Sequence, residues 1–229
     1  MTRVWVLDSE TTGVDPEMDK VVEVAGVLLE DGSPVGQFQS LVDPGVPIPP
    51  QASAVHHLRD SDVAGQPTLD DAMKPVRDNP ADYYVAHNAA FDKSFLKVDD
   101  KPWICTWKCS LRAFVDAPSY SNQVLRYWLG LPDPVCGGHA HRALYDAEVT
   151  AHLLVRLLSV STRESPYESM AEISAKPGLM RRVSFGVHRD KLYSEVPVDY
   201  LNWILNKSSG WSEDQLYSAR YWLEKRRAS

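Results

Sequence analysis

The sequence predicts an α/β fold in which a mixed five-stranded sheet is flanked by helices and followed by a small C-terminal appendage. Three apolar segments joined by short turns open the chain, a pattern typical of an antiparallel meander. Strand-like and helix-like segments then alternate, which is typical of strands covered by helices. A polar stretch at residues 160–169 looks like a linker, and it separates this part from a tail rich in aromatic residues.

The strand candidates are short apolar runs, several of them rich in β-branched residues. They lie at residues 3–8, 21–29, 35–42, 83–87 and 103–107. The turn sequence DGSP separates the second run from the third. The proline-rich stretch that follows the third run is expected to be a loop, because proline cannot donate a hydrogen bond to a strand ladder.

Four segments have the spacing of helices. They lie at residues 68–78, 89–96, 119–130 and 141–159. In the last segment the apolar side chains recur every three or four residues, so they form one stripe along a helix. We therefore expect a larger unit over residues 1–160 and a small C-terminal region over residues 161–229.

Composition narrows the class of protein. Hydrophobic residues make up 44% and charged residues 24%, as in an ordinary globular protein. The three cysteines are too few and odd in number for a disulfide framework, so we expect a reducing cytoplasm. Neither a signal peptide nor a membrane span is expected from the apolar runs.

Charge is distributed unevenly. The net charge is −7. Residues 1–160 contain 13 Lys and Arg against 22 Asp and Glu, a net charge of −9, whereas residues 161–229 contain 11 against 9, a net charge of +2. This distribution disfavours broad binding to duplex nucleic acid and is compatible with cations held by the acidic part.

The first acidic motif is DSETTG, which begins with Asp8 and Glu10 at the end of the first strand. Side chains two residues apart on a strand point to the same face. Two like charges side by side are costly unless a cation lies between them. Hard cations such as Mg²⁺ prefer carboxylate oxygens, although a solvated strand end would also explain the pair.

Two further motifs follow. In HNAAFD, the apolar strand ends at His87, Asn88 is a plausible helix N-cap and Asp92 lies in the following helix. In HAHRALYDA, His141 lies at the junction of a glycine-containing loop and a helix that carries Asp146. A histidine with a pKa near neutrality suits a general base. Each motif alone has an ordinary structural explanation, but all three are predicted at one edge of the sheet, where open α/β folds place their sites.

Together, DSETTG, HNAAFD and HRALYD resemble the DEDDh branch of the DnaQ-like 3′→5′ exonuclease superfamily. The resemblance implies a ribonuclease-H-like fold, an exonuclease domain over residues 1–160, and removal of 5′-mononucleotides from the 3′ ends of DNA. It also implies two divalent cations, Mg²⁺ with Mn²⁺ as a substitute. In that branch the base lies five residues before the last acid, which selects His141 rather than His139.

The resemblance assigns the remaining roles residue by residue. It implies that Asp8 bridges both metals, that Glu10 and Asp146 complete the first metal site, and that Asp92 serves the second. It implies that substrate is contacted by backbone amides of the TTG segment and by neighbouring side chains. These candidates are Thr11, Thr12, Gly13, Val14, His56, His87, Asn88 and Phe91. Serine at position 9, where the family usually has threonine, is expected to face away from the metals.

Several alternatives stay open at this point. The partner is expected to be DNA with a 3′ end, single-stranded or in a frayed duplex, but RNA fits the same chemistry. A non-catalytic module that binds nucleic acid is a second alternative. A zinc site built from Cys105, Cys109, Cys136 and His139 is a third. The aromatic residues of the C-terminal region could stack on single-stranded bases, but we expect them to form a core.

Overall fold

The computed structural model describes residues 1–207 and 210–227. One five-stranded sheet organises the larger part of the chain, with the strand order β3-β2-β1-β4-β5. Its strands are β1 (Arg3–Thr11), β2 (Val21–Glu30), β3 (Ser33–Leu41), β4 (Tyr83–Ala86) and β5 (Trp103–Cys105). The first three strands are antiparallel, and β4 and β5 run parallel to β1. The predicted mixed five-stranded sheet is therefore confirmed.

Helices cover both faces of the sheet and form most of the C-terminal region. Those of the larger part are α1 (Pro50–His56), α2 (Asp60–Val63), α3 (Leu69–Ala72), α4 (Lys74–Asp78), α5 (Ala90–Leu96), α6 (Thr106–Ala113), α7 (Asn122–Leu129) and α8 (Ala143–Val160). Those of the C-terminal region are α9 (Pro166–Ser174), α10 (Val198–Asn206) and α11 (Glu213–Arg227). In the described residues, no helix is long and apolar enough to cross a membrane.

Several predicted boundaries are wrong for local reasons. The helix expected over 68–78 is two short helices, because Pro75 has no amide hydrogen to continue the first one. The strand expected over 103–107 ends at Cys105, and α6 begins at the next residue, Thr106. The stretch 160–169 is not wholly a linker, because α9 begins at Pro166, a residue favoured at helix starts.

The core lies on both faces of the sheet. Along β1, Val4 and Val6 face one core cluster, and Trp5 and Leu7 face the other. Helix α8 covers the first face and approaches closely because Ala147 and other small residues line its contact. Burial of each large aliphatic side chain contributes roughly 1.5–3 kcal/mol. These two clusters fix β1, whose C-terminal end carries the first acidic motif.

The C-terminal region packs in two ways. Met170 of α9 joins the core of the sheet, and the Ser174 hydroxyl accepts a hydrogen bond from the Cys105 amide at 2.7 Å. Beyond α9, Tyr193, Leu201 and other buried residues form a separate core. The expectation that the aromatic residues of this region build a core is confirmed for Tyr193 and Trp222. The division into domains at residue 160 remains a prediction.

Candidate active site

The C-terminal end of β1 and the neighbouring α5 and α8 bring the predicted acids together. Asp8, Glu10 and Asp146 each place one carboxylate oxygen within 4.8 Å of the other two. Asp92 is buried beside them and lines the same cleft, which has a volume of about 510 Å³. The cleft is lined by Asp8, Ser9, Glu10, His87, Asn88, Phe91, Asp92, Ser121, Asn122, Gln123, His141 and Asp146.

Burial and the charges of neighbouring acids both oppose ionisation of this cluster, and burial has the larger effect. Burial, followed by the charge of Asp92, raises the pKa of Asp8 well above its ordinary value. Burial and the charge of Asp146 raise the pKa of Glu10 to about 8, and burial raises that of Asp92 to about 7. The pKa of Asp146 is also raised, again mainly by burial. Such a cluster resists full ionisation unless a cation neutralises it, so its donor set fits hard divalent cations.

Two hydrogen bonds hold the Asp146 carboxylate in place. Its Oδ2 atom accepts from the His141 amide at 2.6 Å, and its Oδ1 atom accepts from Gln123 Nε2 at 2.7 Å. Both oxygens are therefore oriented by neighbours on α7 and on the loop before α8. The polar segment at the start of α7 was not predicted as part of the site, although Ser121, Asn122 and Gln123 all line the cleft.

Ser9 has a role that the sequence-based expectation did not give it. Its hydroxyl donates to Asp92 Oδ1 at 2.8 Å and lines the cleft. A threonine at this position would offer the same hydroxyl. The departure from the family pattern therefore leaves this contact chemically intact.

His141 and His139 lie in different surroundings. His141 is exposed and lines the cleft, with a backbone φ of 65°. A left-handed conformation is uncommon for a residue other than glycine and often marks a functional site. The His139 ring instead packs against His57, with centroids 5.0 Å apart. Of these two histidines, His141 is the one that lines the cleft.

Glu23 and Arg142 form an ion pair that sequence reasoning missed, with a buried carboxylate and a partly exposed guanidinium. Glu23 is 0% exposed and lies opposite Glu10 in the β1–β2 register. Arg142 donates to both of its oxygens, at 3.0 and 2.6 Å, and the Ala143 amide donates at 3.0 Å. Burial alone would raise the pKa of Glu23, but these hydrogen bonds keep it below its ordinary value. The pair anchors the start of α8, between His141 and Asp146.

One signal could have identified this pair. Glu23 is the single charged residue in the apolar run VVEVAGVLL, and a charge inside a buried strand requires a partner. Its partner lies 119 residues away in the sequence. No local pattern could select it.

Polar groups of the TTG segment that were expected to meet substrate form hydrogen bonds within the protein. The Thr12 amide donates to the Lys20 carbonyl at 2.8 Å, and contact of this residue with a nucleotide remains a prediction. The Thr11 hydroxyl donates to the Gly13 carbonyl at 2.5 Å. A Cβ atom at Gly13 would lie 2.4 Å from the Asp19 carboxylate, so a larger residue would displace Asp19 from its hydrogen bonds to the Thr12 hydroxyl and the Asp15 amide. Contact of Thr11 and Gly13 with substrate remains a prediction.

The other predicted substrate contacts divide into two groups. His87, Asn88 and Phe91 line the cleft, whereas Val14 and His56 do not. Val14 is 83% exposed, and His56 is only 1% exposed. Contact of these last two residues with substrate also remains a prediction.

His87 is held by both ring nitrogens. Nε2 lies 2.8 Å from the Tyr120 carbonyl, and Nδ1 lies 3.0 Å from the Thr106 hydroxyl. Burial lowers the pKa of His87 to about 4, so its ring is neutral near pH 7. Since the Tyr120 carbonyl only accepts, Nε2 carries the proton. His87 therefore links the segments that contain Thr106 and Tyr120 at one side of the cleft.

Asn88 does not cap α5 as predicted. The N-cap position is Ala89, and Asn88 lies one residue earlier with a φ of 64°. Asparagine tolerates this left-handed conformation better than most residues. Its exposed side chain is thereby left at the cleft surface.

The zinc alternative finds no support. Cys105 and Cys109 are buried, Cys136 is exposed, and all three are free. Across the part of the chain that the structure describes, the acids Asp8, Glu10 and Asp146 are the one set of His, Cys, Asp or Glu side chains grouped tightly enough for a metal.

Comparison with known proteins agrees with this geometry. Residues 5–154 match the RNase_T family, described as exonuclease. The chain is 35% identical to exodeoxyribonuclease 10 of Escherichia coli strain K12 over 224 residues, which cover 96% of this chain and 98% of that protein.

Solved structures agree as well. The structure of exonuclease X in complex with 5′ overhanging duplex DNA matches with a TM-score of 0.66 and 36% identity, covering 76% of this chain and 99% of that one. The nuclease domain of a DEDDh family member bound to rAMP matches with a TM-score of 0.57 and 21% identity, covering 69% and 92%, and shares the fold. The chain belongs to the RNase_T exonuclease family and has its ribonuclease-H-like fold.

Proposed function

We propose that this chain is a 3′→5′ exodeoxyribonuclease that releases 5′-mononucleotides from the 3′ ends of DNA. The observation that carries the proposal is the convergence of Asp8, Glu10 and Asp146 within 4.8 Å, at the end of β1. The similarity to exodeoxyribonuclease 10 over nearly the whole chain supports DNA as the substrate. The expected cytoplasmic location stays a prediction.

The carboxylates would hold two divalent cations, for which Mg²⁺ is our choice and Mn²⁺ a substitute. Asp8, Glu10 and Asp146 would hold the first, and Asp92 together with Asp8 would hold the second. Oxygen ligands with raised pKa values fit such ions, since the cations remove the repulsion that opposes ionisation. When bound, two metal ions would stabilise the entering and leaving oxygens of an in-line displacement.

The chain's own residues would position and activate the reactants. His141 would accept a proton from the attacking water, since its ring is exposed at the cleft. Gln123 and the His141 amide would keep both Asp146 oxygens oriented. Phe91 and Asn88 would lie against the terminal nucleotide at the wall of the cleft.

The substrate would be a single strand or the frayed end of a duplex. Tight binding of duplex DNA needs a basic protein surface, whereas residues 1–160 carry a net charge of −9, with 13 basic against 22 acidic residues. A cleft of about 510 Å³ suits one terminal nucleotide.

The test compares three 5′-labelled substrates of equal sequence: single-stranded DNA, blunt duplex DNA and RNA. We expect a ladder that shortens from the 3′ end of the single-stranded DNA, with 5′-mononucleotides as products, and no cleavage in chelator. Asp8→Asn and His141→Ala should abolish the ladder while the circular dichroism spectrum is unchanged. Faster cleavage of RNA would reassign the substrate, and unchanged cleavage by Asp8→Asn would refute the site.

A further inference from the structure

An aromatic patch lies on the outside of the C-terminal core. We define it by Phe185, Tyr200, Trp203 and Trp211. The centroids of Phe185 and Trp211 are 4.1 Å apart, those of Tyr200 and Trp203 are 5.1 Å apart, and those of Trp203 and Trp211 are 5.4 Å apart. Trp203 is 46% exposed, although a core position would bury an indole almost fully. The patch therefore presents aromatic surface to solvent.

One cationic side chain contacts the patch, and others lie on the loop beside it. Lys207 Nζ lies 4.9 Å from the centroid of Trp211 and 5.4 Å from that of Trp203. The adjoining loop, residues 181–191, carries Arg182, Arg189 and Lys191, all exposed. The acids Asp190, Glu195 and Asp199 are also exposed nearby and moderate this charge. Aromatic faces interleaved with cations are the features that bind bases and phosphates of single strands.

The same loop lines a second cleft, which borders the catalytic one at a single residue. This cleft of about 270 Å³ lies between the 117–121 segment and loop 181–191, and Tyr120, Arg181, Arg182 and Ser184 line it. Ser121 lines both this cleft and the catalytic one. Phe185 follows Ser184 directly in the chain, so loop 181–191 connects this second cleft to the aromatic patch.

Building on the exonuclease activity proposed above, we propose that the aromatic patch and loop 181–191 bind single-stranded DNA. Bases of a single strand can leave their own stack and lie on aromatic rings, whereas paired bases in a duplex cannot. Charge favours this occupant, because the C-terminal region has 11 basic against 9 acidic residues while residues 1–160 are strongly acidic. A strand held at two neighbouring sites rebinds faster after each cut than one held at its terminus alone.

The test measures DNA binding without hydrolysis. The full-length Asp8→Asn protein, in chelator, is titrated against a fluorescein-labelled 30-nucleotide oligo-dT while anisotropy is recorded. Since stacking on one aromatic residue is worth about 1–3 kcal/mol, Trp203→Ala should raise Kd by roughly fivefold to a hundredfold. Trp203→Phe should restore most of the affinity, because it restores an aromatic face.

Three controls make the result specific. Trp128→Ala removes an indole that is 43% exposed elsewhere on the chain, and should leave Kd unchanged. An abasic oligonucleotide of equal length should bind the protein and Trp203→Ala equally, since it retains phosphates but cannot stack. Lys191→Gln should flatten the salt dependence of Kd by about 0.7 in log–log slope per lost phosphate contact.

The proposal fails if Trp203→Ala, Trp128→Ala and the parent protein share one Kd for oligo-dT. The patch would then be a surface that binds a protein partner or a second copy of the chain. Because no cleavage is measured, this failure is distinguishable from failure of the proposed nuclease activity. A Trp203→Ala effect that is equal on the abasic strand would also contradict stacking.

Discussion

The catalytic cleft and the aromatic patch use opposite chemistry. The cleft gathers carboxylates whose pKa values are raised by burial and, for Asp8 and Glu10, by neighbouring charges, and hydrogen bonds fix both oxygens of Asp146. The patch gathers partly exposed rings beside the Lys207 ammonium. A site for bond cleavage needs atoms held within fractions of an ångström, whereas a surface for single strands tolerates variation. The two regions should therefore respond very differently to single substitutions.

The largest effect is expected from removal of a carboxylate in the cleft. Glu10→Gln should lower the rate of cleavage of single-stranded DNA by at least about a thousandfold, since ligands of a catalytic metal contribute several kcal/mol. The same change should raise the Tm of the metal-free protein, because folding no longer has to bury or protonate the Glu10 carboxylate. Differential scanning fluorimetry in chelator, together with a cleavage assay, checks both. A fall in both quantities would mean that Glu10 is structural.

The second effect concerns the ion pair that anchors α8. Arg142→Ala should lower the free energy of unfolding by about 3 kcal/mol, since it leaves the buried Glu23 carboxylate without its cationic partner and with only the Ala143 amide and Gln39 as donors. Arg156→Ala, on the exposed face of the same helix, should change it by no more than about 0.5 kcal/mol. Urea denaturation measures both values. Equal stabilities of the two variants would contradict the anchoring role.

The third effect is a dependence of metal stabilisation on pH. In the metal-free protein the pKa values of Glu10 and Asp92 are raised to about 8 and about 7. Carboxyls with raised folded-state pKa values stabilise the fold at low pH, and this stability is lost as pH rises through those values. Metal-free Tm should therefore fall from about pH 5 to about pH 8.5, while the gain from Mg²⁺ grows. A gain that is independent of pH would contradict ligation by these groups.

The fourth and smallest effect is expected at Gln123. Gln123→Met keeps the side-chain length but removes the hydrogen bond to Asp146 Oδ1. A hydrogen bond to a charged group is worth about 1.5–3 kcal/mol, so kcat/KM should fall by roughly tenfold to a hundredfold. The Mg²⁺ concentration for half-maximal activity should rise as well. If only KM for DNA changes, Gln123 contacts substrate and does not position the carboxylate.

What the sequence could predict depends on the range of the interactions. The acids and His141 lie in short motifs with fixed spacing, so they and the sheet that carries them were predictable. The break of the helix at Met73 depends on one proline, and the start of α6 directly after Cys105 left no turn signal. These errors are local.

Contacts between distant segments could not be predicted. The Glu23–Arg142 pair joins residues 119 positions apart, and Gln123 reaches Asp146 from a separate helix. The hydrogen bond from the Thr12 amide to the Lys20 carbonyl depends on the path of the loop between β1 and β2. The composition of the C-terminal region permitted both a core and a stacking surface. Only the burial of Tyr193 and the exposure of Trp203 distinguish the two within it.

The most direct test of the central claim is the stoichiometry of Mn²⁺ binding, measured by electron paramagnetic resonance in the presence of a 5′-mononucleotide. The cluster of Asp8, Glu10, Asp92 and Asp146 predicts two ions per chain in the parent protein. Asp8→Asn, which removes the carboxylate proposed to bridge both ions, should lose at least one of them together with activity. Full binding of two ions by Asp8→Asn, or unchanged cleavage by that variant, would contradict the account.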